Sequence, residues 1–423
     1  MSRLSGVKST RPGPTAAWGF VVLVLLFRAG PAGADPYRLT VRGKGTELGE
    51  TPVLAPLDAS YAPGKYLLRS KGGGRAIAAR VIHAEGKSYL AAVLERVPAR
   101  DELTFSFETD SSPDRPGEGV TFRPIGPNLE VLVGGKLLTV YRTDVPAKPY
   151  YYPVIGPTGD AFSRAYPMQK DNEGEAHDHP HQRSLWFSHG SVNGYDFWAS
   201  DPLNKPSPKF GSIRETSRKV ITSGIALGML RTTDDWLGPD GREVCADERL
   251  VRFYDTRGAR VIDFDVTIKA TAGPVTFGDT KEGMFGIRVA SSMDVMQGKA
   301  RGAGKITNAA GDTDEAAWGK ASPWVDYTGP VQGKTVGVAI LNHPESFRYP
   351  TTWHVRTYGL FAANPFGWHD FGLKKSGEYT IPRGERIQFH YRLILHEGDT
   401  TSARLSDAFR AYAEPPAVTL QRE

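Results

Sequence analysis

The alternation of apolar and polar residues limits what this chain can fold into more than any other feature of its sequence. Apolar side chains occupy every second position in several short runs, such as Ile387, Phe389, Tyr391, Leu393 and Leu395. The run from 261 to 268 follows the same rule. A period of two places neighbouring side chains on opposite faces of a strand. The 47 glycines and 31 prolines keep these runs short, so the sequence predicts an all-β fold.

Two local patterns add detail to this prediction. Residues Leu129 to Tyr141 read as a hairpin with Gly134 and Gly135 as its two-residue turn. Near the C-terminus the apolar residues fall at helical spacing, which predicts one short helix. They are Leu405, Ala408, Phe409 and Tyr412. Ser402 is the expected N-cap of this helix.

The first 34 residues have the layout of a secretory signal peptide. A basic start is followed by an apolar run from 16 to 27 and by the small-residue site Ala32-Gly33-Ala34. The apolar run is shorter than the roughly 20 residues that span a bilayer as a helix. No later stretch is apolar enough to cross a membrane. We therefore expect cleavage near Ala34 and a protein that works in the periplasm or outside the cell, without a membrane span in the mature chain.

The rest of the chain divides by composition into two predicted domains. Residues 35–110 form a compact alternating block that indicates a small accessory β-sandwich. A polar segment rich in proline and glycine, 111–119, is typical of a linker. Residues 120–413 are predicted to form a large β-sandwich that carries the site, followed by a tail at 414–423.

Charge and cysteine content exclude a basic nucleic-acid-binding protein and a protein stabilised by intrachain disulfides. Without the four basic residues of the signal segment, 48 of the 52 basic residues remain against 47 acidic ones, a net charge of +1. This balance gives no basic face for nucleic acid. Cys245 is the only cysteine, so no intrachain disulfide can form. Oligomeric state is not readable from the sequence.

Histidines concentrate in one segment. Four of the ten fall within thirteen positions, at His177, His179, His181 and His189. In an extended segment His177, His179 and His181 would point the same way and could hold a divalent metal ion. The same residues could instead bind a ligand or transfer protons, or could serve structure alone.

The residues after this cluster favour a ligand site. Arg183 could clamp a carboxylate or sugar hydroxyls. Trp186 and Trp198 could offer flat faces to ligand rings. For the aromatic residues, packing in the core is the favoured alternative.

Three later segments are dense in reactive side chains. Glu282 lies just before a predicted strand, and His343 and Asn364 each follow one. His354 and Arg356 share the face of a predicted strand with Thr352 and Tyr358. Together they predict Glu282 as general base, His181 or His354 as general acid, and Arg183 and Arg356 as cationic donors. The residues predicted to contact substrate are Arg183, Arg356, His343, Trp186, Trp198 and Asn364.

Several motifs carry a family resemblance over roughly residues 125–400. They are Tyr166-Pro167-Met168, the run from His177 to Trp198, Glu282 to Arg288, Asn342-His343-Pro344, Pro350 to Arg356 and Asn364 to Gly367. These motifs resemble a family of exported bacterial proteins labelled methane oxygenase PmoA, or described as a domain of unknown function. The family usually has histidine where this chain has Gln182. The subunit behind that label is a multi-helix membrane protein, so an all-β chain is not expected to oxidise methane.

The β-rich pattern with His, Glu and Arg on strands is also similar to the supersandwich class of sugar mutarotases and some polysaccharide lyases. This resemblance implies a large mutarotase-like β-sandwich and a Glu base with a His acid acting on a sugar. Our leading hypothesis is therefore a carbohydrate-active lyase, hydrolase or epimerase that binds a carbohydrate or another small polar ligand. One alternative is a non-catalytic glycan-binding module using Trp186, Trp198, Trp353 and Trp368. The other is a metalloprotein centred on His177, His179 and His181.

Overall fold

Strands carry nearly all of the regular structure, as the period-two patterns predict. The computed structural model describes residues 37–57, 61–84, 86–170, 172 and 174–422, and the predicted signal peptide lies outside the described residues. The first strands are β1 (Tyr37–Arg42), β2 (Thr51–Leu57), β3 (Gly64–Ser70), β4 (Ile77–Ala84), β5 (Lys87–Leu94), β6 (Glu102–Thr109), β7 (Val120–Ile125), β8 (Asn128–Val133), β9 (Lys136–Arg142), β10 (Tyr150–Val154), β11 (Leu185–His189), β12 (Ser212–Thr222) and β13 (Leu227–Leu237).

The second half continues in the same way, with short connections between antiparallel strands. Its strands are β14 (Glu243–Tyr254), β15 (Ala259–Lys269), β16 (Val275–Phe277), β17 (Gly283–Arg288), β18 (Met296–Gln297), β19 (Ala300–Arg301), β20 (Lys305–Asn308), β21 (Trp324–Val331), β22 (Lys334–Asn342), β23 (Trp353–Val355), β24 (Leu360–Ala363), β25 (Tyr379–Ile381), β26 (Arg386–Glu397) and β27 (Ala417–Arg422). Short 3-10 helices span Ser291–Met293 and Asp314–Ala317, and α1 spans Leu405–Ala413. None of the helices in the described part of the chain has the length and apolar character needed to span a bilayer.

The N-terminal strands form a seven-stranded sheet in the order β2-β5-β4-β3-β6-β1-β27. Its last strand comes from the C-terminus, where Leu420 pairs with Leu39. The residues that the sequence analysis left as a tail therefore complete this sheet.

Two eight-stranded sheets follow, together with the two-stranded sheets β16-β25 and β18-β19. The orders of the eight-stranded sheets are β23-β24-β17-β11-β10-β9-β8-β7 and β12-β13-β14-β15-β26-β22-β21-β20, and we call them the site sheet and the long sheet. Their apolar faces pack together, with Phe285 of the site sheet 4.9 Å from Phe264 of the long sheet between ring centroids. Phe187 and Phe389 meet in the same way at 5.8 Å. The predicted β-sandwich is confirmed.

The local predictions are confirmed except at one position. Val133 pairs with Lys136 around Gly134 and Gly135, whose φ angles of 59° and 74° suit glycine. The predicted helix is α1, but its N-cap is Arg404 rather than Ser402. The Ser402 backbone N–H donates to Asp399 Oδ1 at 2.8 Å in the preceding turn, so this serine organises the turn and not the helix.

A buried ion cluster lies on the inner face of the long sheet. Arg249 Nη2 donates to Asp247 Oδ2 at 2.8 Å, and its Nε lies 3.3 Å from Asp234 Oδ2. All three side chains are almost fully buried, and the guanidinium lies 5.6 Å from the ring centroid of Phe187. One cation thus serves two buried carboxyl groups, of which Asp234 has its pKa raised to about 8 by burial.

Replacing Arg249 by methionine is expected to lower the free energy of unfolding by about 3–5 kcal/mol, because it leaves buried carboxylates without their cation. Urea unfolding of the purified chain measures the change. Arg242→Met is the matched control, because the Arg242 side chain is 89% exposed and its removal should leave the unfolding midpoint unchanged. Equal midpoints for the two variants would contradict this account of the core.

Candidate functional site

The outer face of the site sheet presents a row of residues that points away from the core. Cross-strand pairing joins Tyr150 to Trp186, Trp186 to Gly286, Gly286 to Ala362 and Ala362 to His354. Residues directly opposite each other project on the same face of a sheet. A Cβ added at Gly286 would lie 3.1 Å from both the Trp186 and Trp198 rings. The two indoles therefore cover the middle of the row, and His354 occupies its end.

The residues 174–182 lie over this face, and two buried arginines, Arg164 and Arg288, fix them in place. Arg164 Nη1 donates to Asp178 Oδ1 at 2.5 Å, and Arg164 Nη2 donates to the His179 carbonyl at 3.1 Å. Arg288 Nη2 donates to the same Asp178 oxygen at 3.2 Å, and Arg288 Nη1 donates to Gln182 Oε1. Gln182 is thus a buried partner of Arg288. Although burial raises the pKa of Asp178, its hydrogen bond with His179 and the charges of Arg288 and Arg164 hold it well below its usual range.

His179 is the exposed member of this network. Its Nδ1 lies 3.0 Å from Asp178 Oδ2, and its side chain is 43% exposed. The ring stacks on Tyr358, with centroids 5.5 Å apart and planes 9° from parallel. A carboxylate on Nδ1 fixes the ring orientation and leaves Nε2 to meet a ligand, which is the arrangement that imidazole needs for proton transfer.

Glu282 lies directly before β17, where the charges of Lys281 and His179 act on it. Its side chain is 35% exposed, and Lys281 Nζ lies 3.3 Å from its Oε1. Burial raises the pKa of Glu282, although the charges of Lys281 and His179 act against the shift. Gly190 allows this placement, because a Cβ there would lie 2.7 Å from Glu282 Cβ.

His181 and His354 flank the same centre as neutral rings. Burial lowers the pKa of His181 to about 3, with the charges of Lys148 and His179 acting in the same direction. Burial and then the charge of Arg356 lower the pKa of His354 to about 3. Near neutral pH both rings are uncharged, so neither has the additional proton that a general acid gives. The predicted general-acid role therefore fits neither His181 nor His354. His181 Nδ1 accepts from Asn204 Nδ2 at 3.0 Å, which leaves Nε2–H as a donor.

Other predicted substrate contacts are occupied by structural bonds. Arg183 is buried and binds Asp201 through Nε and Nη2 at 2.5 and 2.9 Å. Asn364 is buried, and its Nδ2 donates to the carbonyls of Thr280 and Lys281 at 2.9 and 2.8 Å. Asn364 therefore holds the segment that carries Glu282 and does not face a ligand.

The remaining corrections follow from burial and position. Trp186 and Trp198 are 2% and 0% exposed, so the core-packing alternative is right for both. The His343 ring contacts Tyr412 and His390, at 4.9 and 6.1 Å between centroids. This places it at the end of β22 beside α1, among residues that do not belong to the cluster around His179.

The four tryptophans of the glycan-module hypothesis do not form an exposed platform. Trp353 is fully buried like Trp186 and Trp198. Trp368 is half-buried and is covered by Arg348, whose guanidinium lies 4.3 Å from its ring centroid.

The three alternating histidines do not share one face. His179 has a φ of 45°, so the segment is not extended there and the period of two is lost. His177 stacks on Tyr166 at 4.5 Å, whereas His179 and His181 meet at 5.7 Å. Within the described ranges, no group of three or more His, Cys, Asp or Glu side chains has a geometry that could hold a metal ion.

Four residues that organise this centre have no role in the sequence prediction. Arg164 and Arg288 were not singled out as Asp178 partners, and Tyr358 was placed on a strand that in fact ends at Val355. Lys148 is fully buried and donates to the carbonyls of Phe197, Trp198 and Ser200 at 3.2, 2.7 and 2.9 Å. Burial lowers the pKa of Lys148 to about 7. This lysine shapes the loop of Asp201 and Asn204, and no local pattern in the sequence marks it.

A polar cavity of about 1090 Å³ is lined among others by Tyr152, Glu175, Ser291 and Asp294. Burial raises the pKa of Asp294 to about 7, although Arg288 and Arg164 oppose the shift. The two arginines that fix Asp178 thus also act electrostatically on this cavity.

Fold and site together define a β-sandwich protein with a cluster of ionisable side chains on the outer face of one sheet. The chain belongs to a family described as a family of unknown function (DUF6807), whose model matches residues 128–410. The predicted membership of a family of unknown function is confirmed. No curated protein matches the chain.

The chain is similar to solved structures that include two proteins from Enterococcus faecalis. A protein in the glycosyl hydrolase family 38 is 11% identical with a TM-score of 0.46, and the match covers 91% of this chain and 47% of that one. An alpha-mannosidase from strain V583 is 11% identical with a TM-score of 0.42, covering 92% of this chain and 46% of that one. This chain thus spans about half the length of these structures, and likeness at this level does not bear on function.

Proposed function

We propose that this protein is an exported acid–base catalyst that acts on a carbohydrate, with His179 and Glu282 as the proton-transferring pair. One observation carries the proposal: Asp178 orients His179 and is itself held by two buried arginines, while Glu282 lies in the field of the same imidazole. Several residues are needed to align a histidine in this way, and a surface without a function has no need of them.

The roles follow from the protonation states. Asp178 keeps a proton on His179 Nδ1, so that Nε2 can accept a proton from substrate or return one. Glu282 exchanges protons closer to neutral pH than an exposed glutamate because burial raises its pKa. The neutral His181 offers an N–H donor, which suits a hydroxyl group of a sugar.

Epimerase-type or lyase-type chemistry fits these residues better than hydrolysis. Most glycosidases need two carboxyl groups that face the substrate. Here Asp178 is bound by Arg164, Arg288 and His179, whereas Glu282 is paired with Lys281 alone among the described residues, which makes Glu282 the carboxyl group of the cluster that is less occupied by cations. A pair made of one carboxylate and one imidazole is suited to moving a proton onto and off carbon or oxygen.

The test is a screen of the purified chain against neutral, oxidised and unsaturated sugars in deuterated water, followed by NMR. The proposal predicts conversion, or exchange of a sugar C–H for deuterium, for at least one sugar class. The signal should be lost in Glu282→Gln. Exchange or conversion that persists in both Glu282→Gln and His179→Gln would overturn the proposal. So would a complete sugar screen in which the wild type shows neither exchange nor conversion.

A further inference from the structure

Arg356 differs from the other arginines around the candidate site. Arg164, Arg183 and Arg288 each bind a carboxylate. In the described part of the chain, the guanidinium of Arg356 makes no hydrogen bond or ion pair. It lies instead against the rings of Trp318 and Tyr358, 5.7 Å from each centroid. It is a cation held by two aromatic faces with its donors free.

The backbone around Arg356 is fixed. The chain turns directly after β23, with Arg356 N–H donating to the Leu360 carbonyl at 2.7 Å and Gly359 N–H donating to the Arg356 carbonyl at 3.1 Å. The Tyr327 hydroxyl donates to the same Arg356 carbonyl at 3.1 Å. A short turn bonded from both sides presents the side chain from a defined position, which reduces the entropy lost on binding.

Arg356 also lies beside the reacting residues. Its charge is the strongest of those that act on buried His354, and Tyr358 links it to His179 through ring stacking. Trp318 Nε1 is a buried donor without a partner in the described residues, so a second N–H is close to the guanidinium.

The other cations around this centre have carboxylate partners. Lys281 is paired with Glu282 and the two buried arginines with Asp178. The uncompensated charge with free donors is the one on Arg356.

We propose that Arg356, between Trp318 and Tyr358, binds a carboxylate of the substrate, and that the substrate class is a glycan containing uronic acid residues. This inference rests on the proposed acid–base function. The planar fork of a guanidinium matches a carboxylate through two parallel hydrogen bonds. The rings behind it keep the fork in place.

The carboxylate makes the proposed chemistry more specific. A charge-neutralised carboxylate acidifies the C–H bond next to it, so that His179 or Glu282 can remove that proton. If the other residue returns a proton to the opposite face, the product is the epimer. If the neighbouring C–O bond breaks instead, the leaving oxygen takes a proton from the other residue and a C=C bond forms. Both routes balance without an oxidant or a further reactant.

Calorimetric titration of the full chain tests the inference. The ligands are tetramers of galacturonate, glucuronate and mannuronate, each beside its carboxyl-reduced form, in which every carboxylate has become a hydroxymethyl group. At least one charged tetramer should bind about 10–100-fold more tightly than its reduced form, as expected for a hydrogen-bonded charged pair. Arg356→Met should remove that preference and leave binding of the reduced form unchanged. Arg356→Lys should keep part of it.

Arg383→Met is the matched control, since Arg383 lies exposed in the turn before β26, and circular dichroism establishes that each variant folds. Equal binding of every charged tetramer and its reduced form overturns the inference. The inference is also overturned if Arg356→Met weakens binding of the charged tetramer and of its reduced form equally. If Arg356→Met loses the preference but no sugar is converted, the carboxylate site stands and the acid–base function fails. If only neutral sugars are converted and Arg356→Met has no effect, the acid–base function stands and the carboxylate site fails.

Discussion

Replacing His179 by glutamine is expected to lower kcat/KM for the converted sugar by about 10²–10⁴-fold, the usual contribution of one positioned acid or base. The loss should fall on kcat, because the glutamine keeps a polar side chain at a position that is 43% exposed. Steady-state kinetics on the substrate found in the screen measures both constants.

His177→Gln is the control for this prediction. His177 lies two positions earlier and is also exposed, but its ring stacks on Tyr166, whereas the ring of His179 lies against the Asp178 carboxylate. Its replacement should leave kcat within about twofold, in line with the small effects of surface changes away from a site. If His177→Gln and His179→Gln lowered kcat equally, the activity would not depend on the Asp178–His179 pair.

Glu282→Gln is expected to cause a loss of similar size, about 10²–10⁴-fold in kcat, because the amide preserves shape but cannot take up a proton. The wild-type rate should also fall as the pH is lowered through the pKa of Glu282. Since burial raises that pKa above the ordinary value of 4.5, the acid limb of the pH profile should lie above 4.5. Glu282→Gln should remove this limb.

The control is Glu345→Gln, because the Glu345 side chain is 81% exposed beside His343 and away from the site. It should keep both the rate and the acid limb. An acid limb unchanged in Glu282→Gln would assign the titration to another group.

The fold was readable from the sequence because burial follows a simple period. Residues 261–268 form the middle of a strand with Ile262, Phe264, Val266 and Ile268 buried, as the alternation predicts, although Val261 and Asp263 on the other face are buried too. The pairing of β27 with β1 was not readable, because it joins residues nearly 400 positions apart and no local pattern marks a partner strand.

The sequence also marks several residues of the candidate site, but not the partners that decide their roles. The sequence marks both Arg183 and Arg356 as cations near histidines, yet only the fold places Asp201 against Arg183 and leaves Arg356 unpaired. The left-handed backbone at His179 likewise removes the metal geometry that the spacing implied. Such outcomes depend on partners that are distant in sequence, which a period or a motif does not encode.

A double-mutant cycle on His179 and Glu282 tests the central claim most directly, since it asks whether the two residues act in one reaction. Steady-state rates of wild type, His179→Gln, Glu282→Gln and the double variant are compared on the same sugar. If the residues form one acid–base pair, the double variant should lose little more than the worse single variant. A double-variant loss equal to the product of the two single losses would show that they act independently and would contradict the account.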